Sequence, residues 1–259
     1  MNRISIALNE LRKMEAAALE KSTLHSFHPL IKLVLTVIFI TTVVSMHRYD
    51  IKSLLLLGVY PVALFALGQL AWPDAWRRLK YILPFVACVG ILNPFFDTQI
   101  INVCGYEIRA GFVSLLTLFV KGLLTVLATY ALIASTSIEK ICYALSVIRV
   151  PKLIITQVLL TYRYLHLLLE EANRITQAYE LRAPSASGIA VSEWGSLIGK
   201  FLLRSVDRAE QVYSSMLLRG FSGDFTHCGM RVHIKVTDLL FLGFWILFFV
   251  FVKIYNSAF

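Results

Sequence analysis

The chain has 259 residues, of which 58% are hydrophobic, with a mean hydropathy of +0.70 and a net charge of +9. This composition excludes an ordinary soluble domain and predicts a polytopic membrane protein, because cytoplasmic loops of such proteins collect Lys and Arg. Nucleic-acid binding is disfavoured, since no basic run is interleaved with aromatic residues. The four cysteines are far apart and include no C-x-x-C pair, so no disulfide framework is predicted.

Residues 1–28 predict an interfacial segment ahead of the first membrane span. Ile4, Leu8 and Leu11 recur at helical spacing, which is typical of an amphipathic helix lying on the inner membrane surface. Acidic residues interrupt this segment, so the sequence predicts no cleavable signal peptide.

Residues 29–135 predict four transmembrane helices. The expected spans are 29–46, 51–70, 81–96 and 112–135. Between the second and third spans, residues 72–80 hold two tryptophans and three cations, which predicts a cytoplasmic loop at the membrane interface. The third span is short and is broken by Pro84 and Pro94, so neighbouring helices are expected to cover its backbone. The polar loop before the fourth span is expected outside.

Two lysines lie inside these spans. Lys32, in the first turns of the first span, is expected to extend its ammonium group to the membrane interface. Lys121 lies deep in the fourth span, where a charge is costly, so it should face protein or a cavity. Gly122 and other small neighbours favour a helix–helix or subunit contact for Lys121 over a role in an ion pathway.

Residues 136–237 carry charges of both signs and predict a cytoplasmic domain built on a hairpin of two long helices. Residues 154–169 are apolar nearly all round, so they are expected to be buried against lipid or other helices. Residues 184–188 predict a flexible turn between the two helices. The final segment, 238–259, contains a fifth span, and the fold class is therefore all-α, with about five transmembrane helices. The loop cations place the N-terminus and the hairpin in the cytoplasm and the C-terminus outside.

The second helix of the hairpin is the most polar long helix of the chain. Ile198, Leu202 and Val206 begin an apolar stripe that is expected to be buried. The opposite side is densely polar, and its charged residues include Arg204, Asp207, Arg208 and Glu210.

Both hairpin helices end on an arginine. Arg182 is followed by Ala183 and Pro184, and a proline prevents the helix from continuing. Arg219 is followed by Gly220, a good helix stop. Each arginine alone could be an ordinary capping residue, but the repeated arrangement predicts two arginines that insert into a partner.

No pattern for catalysis or metal binding stands out. Residues 195–201 approach a phosphate-binding loop, but only three residues separate the two glycines, and Phe201 stands where a metal-binding Ser or Thr is needed. The six histidines form no convincing ligand set. The sequence therefore predicts a non-catalytic chain without its own metal or cofactor.

Residues 204–221 resemble the transmembrane T component of energy-coupling factor (ECF) transporters, especially the cobalt-uptake type, and residues 161–174 are similar to the stretch before its first coupling motif. The resemblance implies a multi-pass protein of the cytoplasmic membrane, with two ABC ATPase subunits and a substrate-binding membrane subunit as partners. ATP and Mg²⁺ would be bound by the ATPases, and Co²⁺ by the substrate-binding subunit.

In that family two Ala-Arg-Gly motifs end the coupling helices, and their arginines dock on the ATPases. The matching residues here are Leu181, Arg182 and Ala183, then Leu218, Arg219 and Gly220. Leucine replaces the first alanine in both motifs, and alanine replaces glycine in the first.

Three alternatives stay open. The chain could be a T component for nickel, or one shared among vitamin-binding subunits. It could be a membrane-embedded enzyme that uses Lys121 and interfacial carboxylates. It could also be a membrane scaffold that binds a soluble partner without ATP-driven work.

Overall fold

The computed structural model describes residues 24, 27–91, 100–103, 106–183, 188–221, 223 and 235–258. Residues 1–23, 25 and 26 of the interfacial segment predicted for residues 1–28, and residues 184–187 of the predicted turn, lie outside this part of the chain. Two compact units are present: a membrane unit, Ala17–Ser137 with Arg231–Phe259, and a hairpin unit, Met1–Ala16 with Ile138–Met230.

The described chain is helical except for one short pair of antiparallel strands. In order, the elements are α1 Pro29–Ser45, α2 Ile51–Leu57, α3 Val59–Gly68, α4 Trp72–Gly90, β1 Ile100–Val103, β2 Tyr106–Arg109, α5 Ala110–Ser135, α6 Ile138–Val147, α7 Lys152–Arg182, α8 Val191–Leu218 and α9 Val236–Ala258. The strands pair with Ile100 opposite Arg109, so a hairpin occupies the polar loop before the fourth predicted span.

Three helical stretches are long and apolar enough to cross a membrane, namely Ile51–Gly68, Ala110–Ser135 and Val236–Tyr255. A fourth apolar helix, α1, is shorter. The predicted all-α class and polytopic membrane character are confirmed.

The predicted boundary between a loop at 72–80 and a span beginning at 81 is wrong. One continuous helix, α4, runs through both regions. Pro73 lies in its first turn, where the missing N–H costs nothing, and Asp74 there interacts favourably with the positive end of the helix dipole. Pro84 lies inside α4 without ending it. The three cations are therefore held on a helix surface.

Close packing holds α4 against α5. Gly122 lies opposite Val86, and a Cβ added to this glycine would lie 3.2 Å from both methyl carbons of Val86. Small residues of this kind let two membrane helices approach closely.

Aromatic side chains fill the centre of the membrane unit. The ring of Tyr60 lies 4.6 Å from that of Phe39 and 4.8 Å from that of Trp245, measured between centroids. Phe249 packs at 5.3 Å from Tyr60 and 5.6 Å from Phe39. All four side chains are buried, so this cluster joins α1, α3 and α9.

Two lysines join α1 and α5 at opposite ends. Lys121 Nζ of α5 donates to Met46 O at 2.6 Å and to Val44 O at 3.4 Å, just where α1 ends. Lys32 Nζ of α1 donates to Ser135 O at 3.1 Å, the last residue of α5. Both lysines thus satisfy carbonyls that a helix end leaves without an intrahelical donor.

The spacing of these bonds fits an antiparallel helix pair. On α1, Lys32 and the acceptor Met46 are about 20 Å apart along the helix axis. On α5, Lys121 and the acceptor Ser135 are separated by the same distance. The prediction that Lys32 reaches the membrane interface is wrong, because the residue is only 6% exposed and bonds to protein. The helix–helix contact favoured for Lys121 is confirmed.

We expect Lys121→Met to destabilise the membrane unit by about 1–3 kcal/mol, because carbonyls at the end of α1 lose their donor. Thermal unfolding of the full-length chain in mild detergent measures the effect. Lys253→Met is the matched control, since Lys253 is exposed on α9. Equal unfolding midpoints for the two variants would contradict a structural role for the Lys121 bonds.

Candidate functional site

The hairpin unit contains the two helices that end on arginine, and one ion pair joins them. Arg204 of α8 donates to Glu171 of α7. Glu171 also lies 4.0 Å from Arg174, one turn further along α7. Because Arg204 is about half exposed, the pair is partly screened by water and is worth roughly 1 kcal/mol or less. Its contribution is to set where the two helices meet.

A groove with charged side chains in its lining lies at this meeting point, with a volume of about 380 Å³. It is lined by residues of both helices: Leu167, Leu168, Glu170, Glu171, Arg174, Arg204, Ser205, Asp207, Arg208 and Gln211. Three of the four predicted supporting residues, Arg204, Asp207 and Arg208, therefore meet there. The fourth, Glu210, is exposed and is not part of the lining.

Glu171 and Arg174 were not among the predicted site residues, although both occur in the stretch that resembled the family. The signal that could have found them is their i, i+3 spacing on one face of α7. Which carboxylate faces Arg204 depends on how the helices cross, and periodicity alone does not give that crossing.

Each arginine lies well away from the point where the two helices meet. Arg182 lies roughly 16 Å beyond Glu171 along α7, and Arg219 lies roughly 22 Å beyond Arg204 along α8. The two arginines therefore present two separate contact points.

Arg219 follows the last residue of α8, where the chain leaves the helix through a left-handed turn. The amide of Phe221 donates to Met216 O at 3.0 Å, and that of Gly220 donates to Leu217 O at 3.0 Å. These are the paired bonds of a Schellman motif. Gly220 has a φ of +80°, which glycine adopts without a Cβ penalty.

Arg182 is the last residue of α7, and that helix ends differently. Ala183 follows with φ −128° and ψ 66°, outside the helical region, as expected for a residue before proline. Its amide still donates to Tyr179 O at 3.0 Å. Because the φ of Ala183 is negative, this position of the first motif has no conformational need for the glycine that the second requires.

Both arginine tips are accessible to a partner. Arg182 and Arg219 are exposed, and the leucines before them, Leu181 and Leu218, are 83% and 90% exposed. Each tip thus presents a cation beside an uncovered apolar side chain, and Ala183 and Gly220 complete the two motifs. A bidentate carboxylate in an apolar pocket would match this combination.

The apolar stripe predicted to be buried on α8 is exposed. The structure describes α8 over its whole length, and none of its residues is buried. Ile198, Leu202 and Val206 are all exposed. Among residues 154–169, which are predicted to be buried against lipid or other helices, Ile155 is buried within the chain, whereas the side chain of Ile154 faces away from it.

Among the described residues, no group of three or more His, Cys, Asp or Glu side chains is placed to hold a metal ion. The two described cysteines, Cys88 and Cys142, are unpaired. Burial, with a smaller contribution from Glu139, raises the pKa of the Cys142 thiol, which disfavours the reactive thiolate there.

Fold and site define a polytopic membrane protein that carries a second unit of long helices with exposed arginine ends. The sequence model of the family described as "CbiQ: Cobalt transport protein" matches residues 20–228. The chain belongs to this cobalt transport protein family.

Two relatives are similar to part of this chain. The cobalt transport protein CbiQ of Salmonella typhimurium is 30% identical over 164 residues, which cover 58% of this chain and 73% of that protein. An uncharacterised protein of Methanocaldococcus jannaschii is 32% identical over 112 residues, 42% of this chain and 38% of that protein. The match therefore spans well under half the length of the archaeal relative.

We expect Gly220→Ala to strain the left-handed turn by about 1 kcal/mol and to speed amide hydrogen exchange in the last turn of α8. The matched control is Gly199→Ala in the interior of the same helix, where an added Cβ meets nothing within 4 Å. This control should stabilise α8 by about 0.5–1 kcal/mol. If both changes slowed exchange equally, the turn at Gly220 would not require glycine.

A double-mutant cycle with Glu171→Gln and Arg204→Gln should give a coupling energy of about 0.5–1 kcal/mol in thermal unfolding of the full-length chain. Glu180 and Lys200 lie on the same two helices and, within the described chain, form no ion pair, so Glu180→Gln with Lys200→Gln serves as the control cycle. A coupling in the control as large as that of the first cycle would show that the effect is general charge balance.

Proposed function

We propose that the chain is the transmembrane coupling (T) subunit of an ECF-type ABC importer that takes up cobalt. The observation that carries this proposal is that both long helices of the hairpin end on an exposed arginine, in a member of the cobalt transport protein family. On this proposal the chain is a multi-pass protein of the cytoplasmic membrane, with its hairpin in the cytoplasm and the lipid bilayer around its spans.

Each arginine tip docks on one of two ABC ATPase subunits. A guanidinium group can form two parallel hydrogen bonds with a carboxylate, which fixes orientation as well as affinity. The separation of the tips along the hairpin supports one contact per ATPase. When the two ATPases close on ATP, their docking points move together, and the hairpin shifts as a rigid body.

The crossing between α7 and α8 would carry that motion. The Arg204–Glu171 ion pair ties the two helices at one point, and Arg174 of α7 lies beside the same carboxylate. A displacement of one tip is transmitted to the other helix through this crossing. Asp207 and Arg208 add further charged groups to this region.

A substrate-binding membrane subunit covers the exposed apolar side of α8. Ile198, Leu202 and Val206 lie on the helix that moves, so a partner packed there moves with it. On this proposal Co²⁺ is cargo bound by that partner, ATP and Mg²⁺ are bound by the ATPases, and this chain is non-catalytic. The role of Lys121 in helix packing supports this reading over a membrane enzyme that uses that lysine.

Affinity purification of the chain from its native membranes, followed by mass spectrometry of the bound proteins, tests the assembly. We expect an ABC ATPase and a small membrane subunit. A subunit that binds cobalt would establish the cargo, whereas one that binds nickel or a vitamin would replace cobalt in the proposal. Recovery of the chain alone in several mild detergents would overturn it.

The double variant Arg182→Ala with Arg219→Ala should lose co-purifying ATPase while remaining inserted. Truncation of a buried, paired arginine costs about 2–5 kcal/mol, so two such losses leave little stable complex. The matched control is Arg163→Ala with Lys200→Ala, which removes exposed cations from the same two helices away from their tips.

The control variant should keep its ATPase. Normal thermal unfolding of the uncomplexed double variant shows that the loss is one of docking rather than folding. Retention of the ATPase by the double variant would contradict the assigned role of the arginines.

A further inference from the structure

The outward face of α4 is divided into a charged end and an apolar end. Arg77, Lys80, Tyr81 and Pro84 follow one another at helical spacing and are all exposed. Ala75 and Leu79 lie on the opposite side of the helix and are buried against the rest of the membrane unit. The cations thus lie on the side of α4 that the unit leaves uncovered.

The three cations of this helix have different surroundings. Arg78 is turned inward, and its guanidinium carbon lies 4.9 Å from the ring centroid of Tyr130 on α5. Arg77 and Lys80 are exposed, and within the described parts of the chain neither forms an ion pair. Asp74 is the only acidic residue of α4, and it is not within ion-pair distance of either cation. The outward cations are therefore available to an external anion.

Exposed aromatic residues are next to these two cations in the sequence of α4. Trp76 is 67% exposed and Tyr81 is 78% exposed, and both residue types favour the membrane interface, where one end of the ring is wet. Towards the other end of α4, Phe85 and Val89 are also exposed. A molecule with an anionic head and hydrocarbon chains matches this order of cations, interfacial aromatics and apolar residues along one helix.

We propose that Arg77 and Lys80 bind the phosphate-bearing headgroup of an anionic phospholipid. The acyl chains of this lipid lie along the exposed part of α4 that carries Phe85 and Val89. Interfacial Trp76 and Tyr81 set the depth of the headgroup. The contact holds α4 at a defined height in the bilayer, and it is independent of the ATPase-docking role of the hairpin.

The test measures by native mass spectrometry how tightly the full-length chain, purified in neutral detergent, retains added phospholipid. The unchanged chain is compared with the variants below. The probes are phosphatidylglycerol and, as the zwitterionic reference, phosphatidylcholine with the same acyl chains. Loss of one cation near an anionic surface weakens binding about 5-fold, so Arg77→Gln with Lys80→Gln should weaken phosphatidylglycerol binding about 30-fold. Phosphatidylcholine binding should not change.

The matched control is Lys52→Gln with Lys253→Gln, which removes the same charge from exposed positions near the start of α2 and the end of α9. This variant should bind phosphatidylglycerol as the unchanged chain does. A similar loss in both variants would show attraction by net charge alone and would overturn the proposal. Unchanged lipid binding by the Arg77/Lys80 variant, with loss of a co-purifying protein, would instead assign this face to a protein partner.

Discussion

The antiparallel pairing of α1 and α5 depends on two lysines that each donate to the far end of the other helix. In a bilayer core no water is available for the last carbonyls of a helix, so an uncovered helix end is costly. Lys121 and Lys32 supply those hydrogen bonds from a neighbouring helix. The same bonds give both ammonium groups polar partners. A buried ammonium group and an uncovered carbonyl would each be costly alone, but together they are compatible with the membrane.

The hairpin unit follows a different physical rule. Its two long helices meet through charged residues, with Glu171 and Arg204 at the crossing, and α8 leaves its apolar residues uncovered. A helix of 28 residues without a buried side chain gains little stability from packing within its own chain. Such a helix is suited to contact other subunits, and both of its exposed features, the apolar stripe and Arg219, serve the proposed coupling role.

Much of the fold was predictable because hydrophobic stretches of membrane length are a strong signal. The span at Ala110–Ser135, the last span and the two long hairpin helices were all expected from the sequence. The beginning of α4 was not, since Trp72 and the cations after it are typical of an interfacial loop. Pro73 and Asp74 fit the first turn of a helix equally well, and only packing against α5 decides between these two structures.

The sequence by itself determined the membrane class, the helix ends at Arg182 and Arg219 and the residues available at both tips, because Pro184 and Gly220 act locally on the backbone. Tertiary structure alone decided which carboxylate meets Arg204, and that Lys32 is buried instead of reaching the interface. It also decided that Ile198, Leu202 and Val206 remain exposed. Periodicity shows that a helix has an apolar face, but whether that face is covered depends on the elements that pack against it.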